Sequence, residues 1–210
     1  QNYVSVVLSG DGGDEIFCGY NRYNKGFNLF RKLLKIPSPL RYTISEILNT
    51  LPTRYIDLVL PKLPLFSNYS LIGNKLQKIS NVLLQKNNLS YYKNIISIEN
   101  NPSKFLLKGE EPKTILSNLE DWPKDTSFQE IMMILDLMTY LQDDILVKLD
   151  RGSMFTGLEA RAPYLDHNLI EWSLSLPENL KFSKGQTKVA LRKVLDKYIP
   201  KELIERPKMG

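Results

Sequence analysis

Residues 4–17 read VSVVLSGDGGDEIF. A short β-branched apolar run, Val4 to Leu8, meets a turn in which three glycines and three acids share the seven positions from Ser9 to Glu15. The run has the make-up of a strand covered on both faces, as in a parallel sheet. The glycines let the backbone turn sharply and approach a ligand closely, and the acids at Asp14 and Glu15 suit the start of a helix. A strand, a glycine-rich turn and a helix start together form a common anion site. Asp11, Asp14 and Glu15 would repel bare phosphate, but a divalent cation held between carboxylate and phosphate removes the conflict. The pattern alone is equally that of an N-capped helix after a tight turn.

The chain around this stretch bounds the answer. Its 210 residues suffice for one large domain or a tight pair, with a real core. Hydrophobic residues make up 42% and charged residues 24%, as in ordinary globular proteins. No run approaches the roughly 18 apolar residues of a membrane-spanning helix, and the start lacks the features of a secretory signal. One cysteine, Cys18, excludes an intramolecular disulfide and points to a reducing, cytoplasmic setting. A single cysteine and a single histidine leave little for zinc; magnesium held by carboxylates and phosphates suits the composition better. The net charge of +5 is spread along the chain without a basic-aromatic module, so nucleic acid is not an expected partner.

Periodicity and breakers predict a helix opening at Asp14 or Glu15 and running to about Lys35, before Pro37. Short helices are predicted over 40–51 and 55–63, and an amphipathic one over 71–84. The stretch 87–123 reads as short helices and loops. The strongest helical pattern is 126–155, with Thr126 or Ser127 as N-cap and Glu130 completing a capping box. Its methionines, leucines and isoleucines fill one face through Leu149. Asp166 caps a helix running to about Leu176, 187–199 is amphipathic, and 201–205 is a last turn. One strand followed by helices cannot make a sheet alone. Its partners are therefore expected from another chain or from residues outside these 210, leaving Val4–Leu8 as an exposed edge.

Further along, the chain reads DDILVKLDR (143–151), LEARAPYLD (158–166), GQTKVALR (185–192) and ERPKMG (205–210). Taken in order with SGDGGDE and GYNRY (19–23), these resemble the synthetase domain of the glutamine-hydrolysing (class B) asparagine synthetase family. The resemblance is carried by both ends of the chain and is weak over about 30–125. It implies an α/β parent fold of the adenine nucleotide alpha hydrolase-like, ATP-pyrophosphatase type, of which residues 1–210 are the C-terminal part, mainly helical with one or few strands. The family forms β-aspartyl-AMP from aspartate and ATP, and ammonia released from glutamine displaces AMP. Relatives of that family that adenylate another carboxylate, and a non-catalytic helical interaction module, are alternative readings.

Carried over residue by residue, the resemblance implies that Ser9 and Gly10 contact the nucleotide and that Asp14 binds Mg²⁺. Asp11 stands where the family carries an acid tied to adenylate formation or ammonia attack, and many members have the longer glutamate there. Lys188 matches the lysine that stabilises departing pyrophosphate; by itself it reads as a solvated helix lysine. No SGGxDS loop and no N-terminal cysteine nucleophile occur in the 210 residues. The missing N-terminal part of the same protein is thus an expected partner, the chain by itself is expected to be inactive, and a homodimer is left open. Asp143, Asp144, Asp150 and Arg151 read as ordinary helix charge pairs. Glu159, Arg161 and Asp166 read as turn braces, His167 as a surface residue, and Cys18 as packing on the early helix.

Overall fold

The computed structural model describes residues 3–59, 72–99, 105, 113–117 and 126–204. In chain order, strand β1 (Val6–Leu8) leads into α1 (Gly13–Ile16), and a π-helical turn (Arg22–Gly26) leads into α2 (Phe27–Leu33). Then come α3 (Ser38–Thr50), α4 (Thr53–Val59), α5 (Ile72–Leu83) and α6 (Asn88–Ile96). A long helical run follows: α7 (Phe128–Asp136), a π-helical stretch (Leu137–Ile145) and α8 (Leu146–Met154). The chain continues through β2 (Glu159–Arg161), a 3₁₀ turn (Pro163–Leu165), α9 (His167–Ser175) and α10 (Glu178–Lys181). It then forms a hairpin of β3 (Phe182–Ser183) and β4 (Gln186–Thr187), followed by α11 (Val189–Leu195) and α12 (Lys201–Ile204). The far end of the helix predicted over 55–63, Glu205 and the ERPKMG motif lie outside the described residues.

The expected strand exists, and its partner is not where the sequence placed it. β1 pairs in parallel with β2 of the same chain, Val6 opposite Glu159, Val7 opposite Ala160 and Leu8 opposite Arg161. Ser9 N–H donates to Arg161 O at 2.8 Å and continues the ladder past the end of β1. Glu159 and Arg161 are therefore strand residues rather than turn braces; their side chains pair with each other at 2.7 Å on the open face. A three-residue strand interrupting polar sequence carries almost no periodic signal. Val6 and Leu8 share that face and stay exposed; the cover on both faces is an expectation for the parent's sheet and is not supplied by the described residues. The predicted exposure of the strand holds.

The early helix is shorter than its pattern. α1 ends after one turn because Cys18 takes a left-handed backbone (φ 57) and Gly19 N–H closes back on Asp14 O at 2.7 Å. The apolar spacing of Ile16, Phe17, Tyr20 and Tyr23 survives this break, since a turn and a helix can bury the same side chains. The N-cap of α7 is as expected: Ser127 Oγ accepts from Glu130 N–H at 3.3 Å. The apolar face fades earlier than expected. Met132, Met133, Leu135 and Leu141 are buried, whereas α8 buries no residue fully.

Residues 1–25 and 122–210 form one compact unit, and Gly26–Asp121 forms another. The second unit is helical and centres on Phe27, Phe30, Leu83, Tyr91 and Tyr92, with Phe30 and Tyr91 stacked at 4.6 Å. Its α3 and α5 meet along a polar seam, where Ser45 Oγ donates to Ser80 O and Arg41 Nη1 donates to Leu83 O and Gln85 O. In the first unit, Ile16, Phe17, Cys18, Tyr23, Met132 and Met133 are buried, and α1 packs against α7.

A buried charge interrupts that apolar core. Asp136, fully buried at the end of α7, accepts hydrogen bonds from Tyr23 Oη and Arg22 Nε, the latter at 2.8 Å. Arg22 Nη2 lies 2.7 Å from the same carboxylate oxygen, and the guanidinium sits over the Tyr20 ring at 4.1 Å. An acid inside IMMILDLM can be buried only with such partners. We expect Asp136→Ala to lower unfolding stability by about 3–5 kcal/mol, because it takes the shared acceptor from the half-buried Arg22 guanidinium and the buried Tyr23 hydroxyl. Urea unfolding measures this; a change under about 1 kcal/mol would show that the network is not structural.

Candidate functional site

The turn after β1 is shaped by its glycines and by what lies against them. Gly12 has φ 88, and a Cβ there would fall 2.4 Å from Leu165 Cδ2. Only glycine serves at this position, both for its backbone and for its space. Gly10, by contrast, is exposed, with nothing within 4 Å of where a Cβ would stand. The backbone of the turn is thus pressed onto the 3₁₀ turn on one side and open to solvent on the other. Ser9 lies at the base of this open side. Its N–H is used by the sheet, while its Oγ is buried without any hydrogen-bond partner among the described residues.

Asp14 stands in α1 with its carboxylate partly exposed. Lys188 Nζ reaches it from the far end of the sequence, 3.0 Å from Asp14 Oδ1. Two features aim the lysine. Its backbone N–H donates to Phe17 O at 3.2 Å, and its own backbone is left-handed (φ 55), the residue before α11 rather than a residue within it. The helix predicted to start at Thr187 therefore begins two residues later, and Lys188 is not a solvated helix lysine. The hairpin before it is held by Lys181, whose buried ammonium lies 3.0 Å from Glu130 Oε1 and donates to Leu174 O. Phe17, which supplies the carbonyl, is fully buried between the edges of Tyr164 and Trp172.

The structure thus brings together Asp14 and Lys188, with Ser9, Gly10 and Asp11 on the adjoining turn. Asp11 is half-buried, and no ion pair or side-chain hydrogen bond among the described residues engages it. No cluster of three His, Cys, Asp or Glu side chains forms among the described residues. Asp144 pairs with Lys148 at 2.5 Å on an exposed helix face, as the spacing predicts. Asp166 caps α9 by accepting from Asn168 and Leu169 N–H groups, which hold its carboxyl below the usual carboxylate range. His167 is exposed.

Sequence reasoning placed Glu15 at a helix start and Tyr20 on the early helix without seeing that they pair, and gave no role to Arg22 or Asp136. Glu15 is buried directly beneath the site, and burial pushes its carboxyl up against a hydrogen bond donated by Tyr20 Oη at 2.9 Å. The same burial and the Glu15 contact push the Tyr20 phenol up. The GYNRY motif is therefore a support under α1: it closes on Glu15 with one tyrosine and on Asp136 with the arginine and the other. A lone acid in the apolar stretch IMMILDLM was the available signal for it.

With this geometry in place, comparison with known proteins is decisive. The asparagine synthase family pattern matches residues 1–210. The chain belongs to the asparagine synthase family. Over its whole length it is 29% identical to a Bacillus subtilis protein named glutamine-hydrolysing asparagine synthetase 1, covering 31% of that relative. It is 30% identical to a putative glutamine-hydrolysing asparagine synthetase of Mycobacterium bovis, covering 30% of it. Against human glutamine-hydrolysing asparagine synthetase the match is 40% over 72 residues, or 33% of this chain and 12% of that protein. The chain thus spans about 30% of the length of the relatives that it matches throughout. No solved structure matches it significantly. Among the described residues, no helix is long and apolar enough to cross a membrane.

Cys18 is a packing residue, as its sequence context suggests, though it sits at the break after α1 and not on a helix. It is 2% exposed, accepts from Asn24 Nδ2 at 3.1 Å, and burial pushes its thiol up to about 11. A raised thiol value adds stability below the ordinary value of 9.0, and that contribution is lost as pH rises towards 11. We expect no reaction of Cys18 with a thiol-selective reagent at pH 8 unless the protein is unfolded. Stoichiometric labelling of the folded protein, read by mass spectrometry, would contradict its burial.

Proposed function

We propose that these residues form the pyrophosphate-handling side of an ATP-dependent adenylation site. The whole enzyme converts aspartate and ATP to β-aspartyl-AMP, and glutamine-derived ammonia displaces AMP to give asparagine. The observation that supports this most is the Asp14–Lys188 pair on the turn whose first residue, Ser9, has a partnerless hydroxyl. A carboxylate–ammonium pair next to a glycine turn that also carries an unused hydroxyl is a donor set suited to a metal-bound pyrophosphate. In this reading the 210 residues are the C-terminal part of the synthetase domain. The β1–β2 pair then belongs to the larger parallel sheet of an ATP-pyrophosphatase-type α/β fold.

The donor set suits magnesium. Asp14 has a second carboxylate oxygen beyond the one that faces Lys188, and magnesium commonly takes one or two carboxylates and fills its remaining positions with phosphate oxygens and water. When bound, it would neutralise charge on the pyrophosphate as it departs. The chain's own groups do the rest. Ser9 Oγ and the open backbone at Gly10 hold phosphate oxygens. Lys188 turns from Asp14 to the leaving pyrophosphate and offsets its developing charge. Asp11, on the same turn and not engaged by another side chain, faces the part of the site where the adenylate forms or ammonia attacks.

The test is aspartate-dependent pyrophosphate release by the full-length protein, with ammonia supplied so that glutamine hydrolysis is bypassed. Asp14→Ala should abolish release. Lys188→Ala should raise the barrier by about 2–4 kcal/mol, roughly 30- to 1000-fold in rate. Normal release with Asp14→Ala would remove Asp14 from the metal site and overturn the reading.

A further inference from the structure

Gly19 is a glycine for a different reason from Gly12. It is not among the positive-φ residues, so its backbone is one that any residue can adopt. What it lacks is space for a side chain. A Cβ on Gly19 would lie 1.9 Å from Asp14 Oδ1, 2.8 Å from Asp14 Cγ and 2.4 Å from Lys188 Cε. The carboxylate oxygen that it would displace is the one that pairs with Lys188 Nζ. These three nearest atoms all belong to the two side chains, and none is backbone.

We propose that Gly19 is a positioning residue for the Asp14–Lys188 pair, its bare Cα forming the slot in which the two side chains cross. A methyl group there must push both aside, because its three nearest neighbours, at 1.9 to 2.8 Å, are atoms of these two side chains. The backbone bond from Gly19 N–H to Asp14 O at 2.7 Å fixes the slot against α1, so Gly19 cannot retreat without opening that turn. The fold itself is spared, since the nearest atoms belong to partly exposed side chains and Gly19 has no positive φ. Substitution should therefore separate the charged groups while leaving the protein folded. The geometric part of this inference is independent of the proposed reaction; only the activity readout rests on it.

The experiment is Gly19→Ala in the full-length protein, alone and combined with Lys188→Ala. A crystal structure of the single variant should show Lys188 Nζ and Asp14 Oδ1 separated beyond the roughly 4 Å limit of an ion pair. Its melting temperature should stay within about 4 °C of the parent, the shift expected from a change of no more than about 1 kcal/mol. Pyrophosphate release should fall about 100-fold, the scale of an ångström-level misplacement. In the Lys188→Ala background the same substitution should cost less than about 3-fold, because the crowded lysine is gone and the carboxylate can turn away; such non-additivity marks two residues acting through one contact. An ion pair retained at 3.0 Å overturns the proposal. So does a large fall in melting temperature, which would make Gly19 a folding residue, or a loss that repeats in full without the lysine. If Asp14→Ala and Lys188→Ala leave release unchanged, the proposed reaction fails while the crystal structure still decides the slot.

Discussion

The structure is organised around one constraint: a lysine next to α11 must reach a carboxylate on α1, although the two lie far apart in the sequence. The contact itself does not hold the fold together. Both side chains are about a third exposed, at 32% and 40%, and an exposed ion pair contributes between nothing and about 1 kcal/mol. The fold holds the contact. Phe17 is fixed by burial against two aromatic rings, its carbonyl accepts the Lys188 N–H, and the left-handed backbone at Lys188 then throws its side chain back over Gly19 towards Asp14. The parallel pairing of β1 with β2 fixes the other side of the turn by locking Ser9 N–H onto Arg161 O. The fold thus holds an ion pair that contributes little to holding the fold.

Beneath that pair lies a second layer of buried polar groups. Glu15 with Tyr20, and Asp136 with Arg22 and Tyr23, set α1 on the end of α7. Lys181 with Glu130 sets the β3–β4 hairpin on the start of the same helix. One helix therefore anchors both arms of the site, one at each end. Buried charges cost several kcal/mol to desolvate and recover that only in good geometry, so such pairs give more position than stability. That is what two arms drawn from opposite ends of the chain require.

Much of this was legible in the sequence, and the failures have physical causes. The strand, its glycine turn, the Ser127 and Asp166 caps and the packing role of Cys18 rest on local chemistry, which a sequence displays. The sequence also supplied Ser9, Gly10, Asp11, Asp14 and Lys188 as one group through family motifs, and the structure gathers them around one turn. β2 was missed because three residues, EAR, are too few for a period. The early helix was drawn too long because burial continues through the break at Cys18 while the backbone does not. Arg22 and Asp136 were passed over because a buried pair exists only between distant segments; Arg22 by itself looks like an ordinary surface charge, and the lone acid in IMMILDLM gives no hint of its partner.

In the proposed function Asp14 and Lys188 are two hands for one metal-bound pyrophosphate. The most direct measurement is a crystal structure of the full-length protein soaked with magnesium pyrophosphate. The account predicts the phosphate groups on the Ser9–Gly10 turn, magnesium on the Asp14 carboxylate, and Lys188 Nζ moved from Asp14 to a phosphate oxygen. Pyrophosphate bound elsewhere, with the Lys188–Asp14 pair still closed at 3.0 Å, would contradict it.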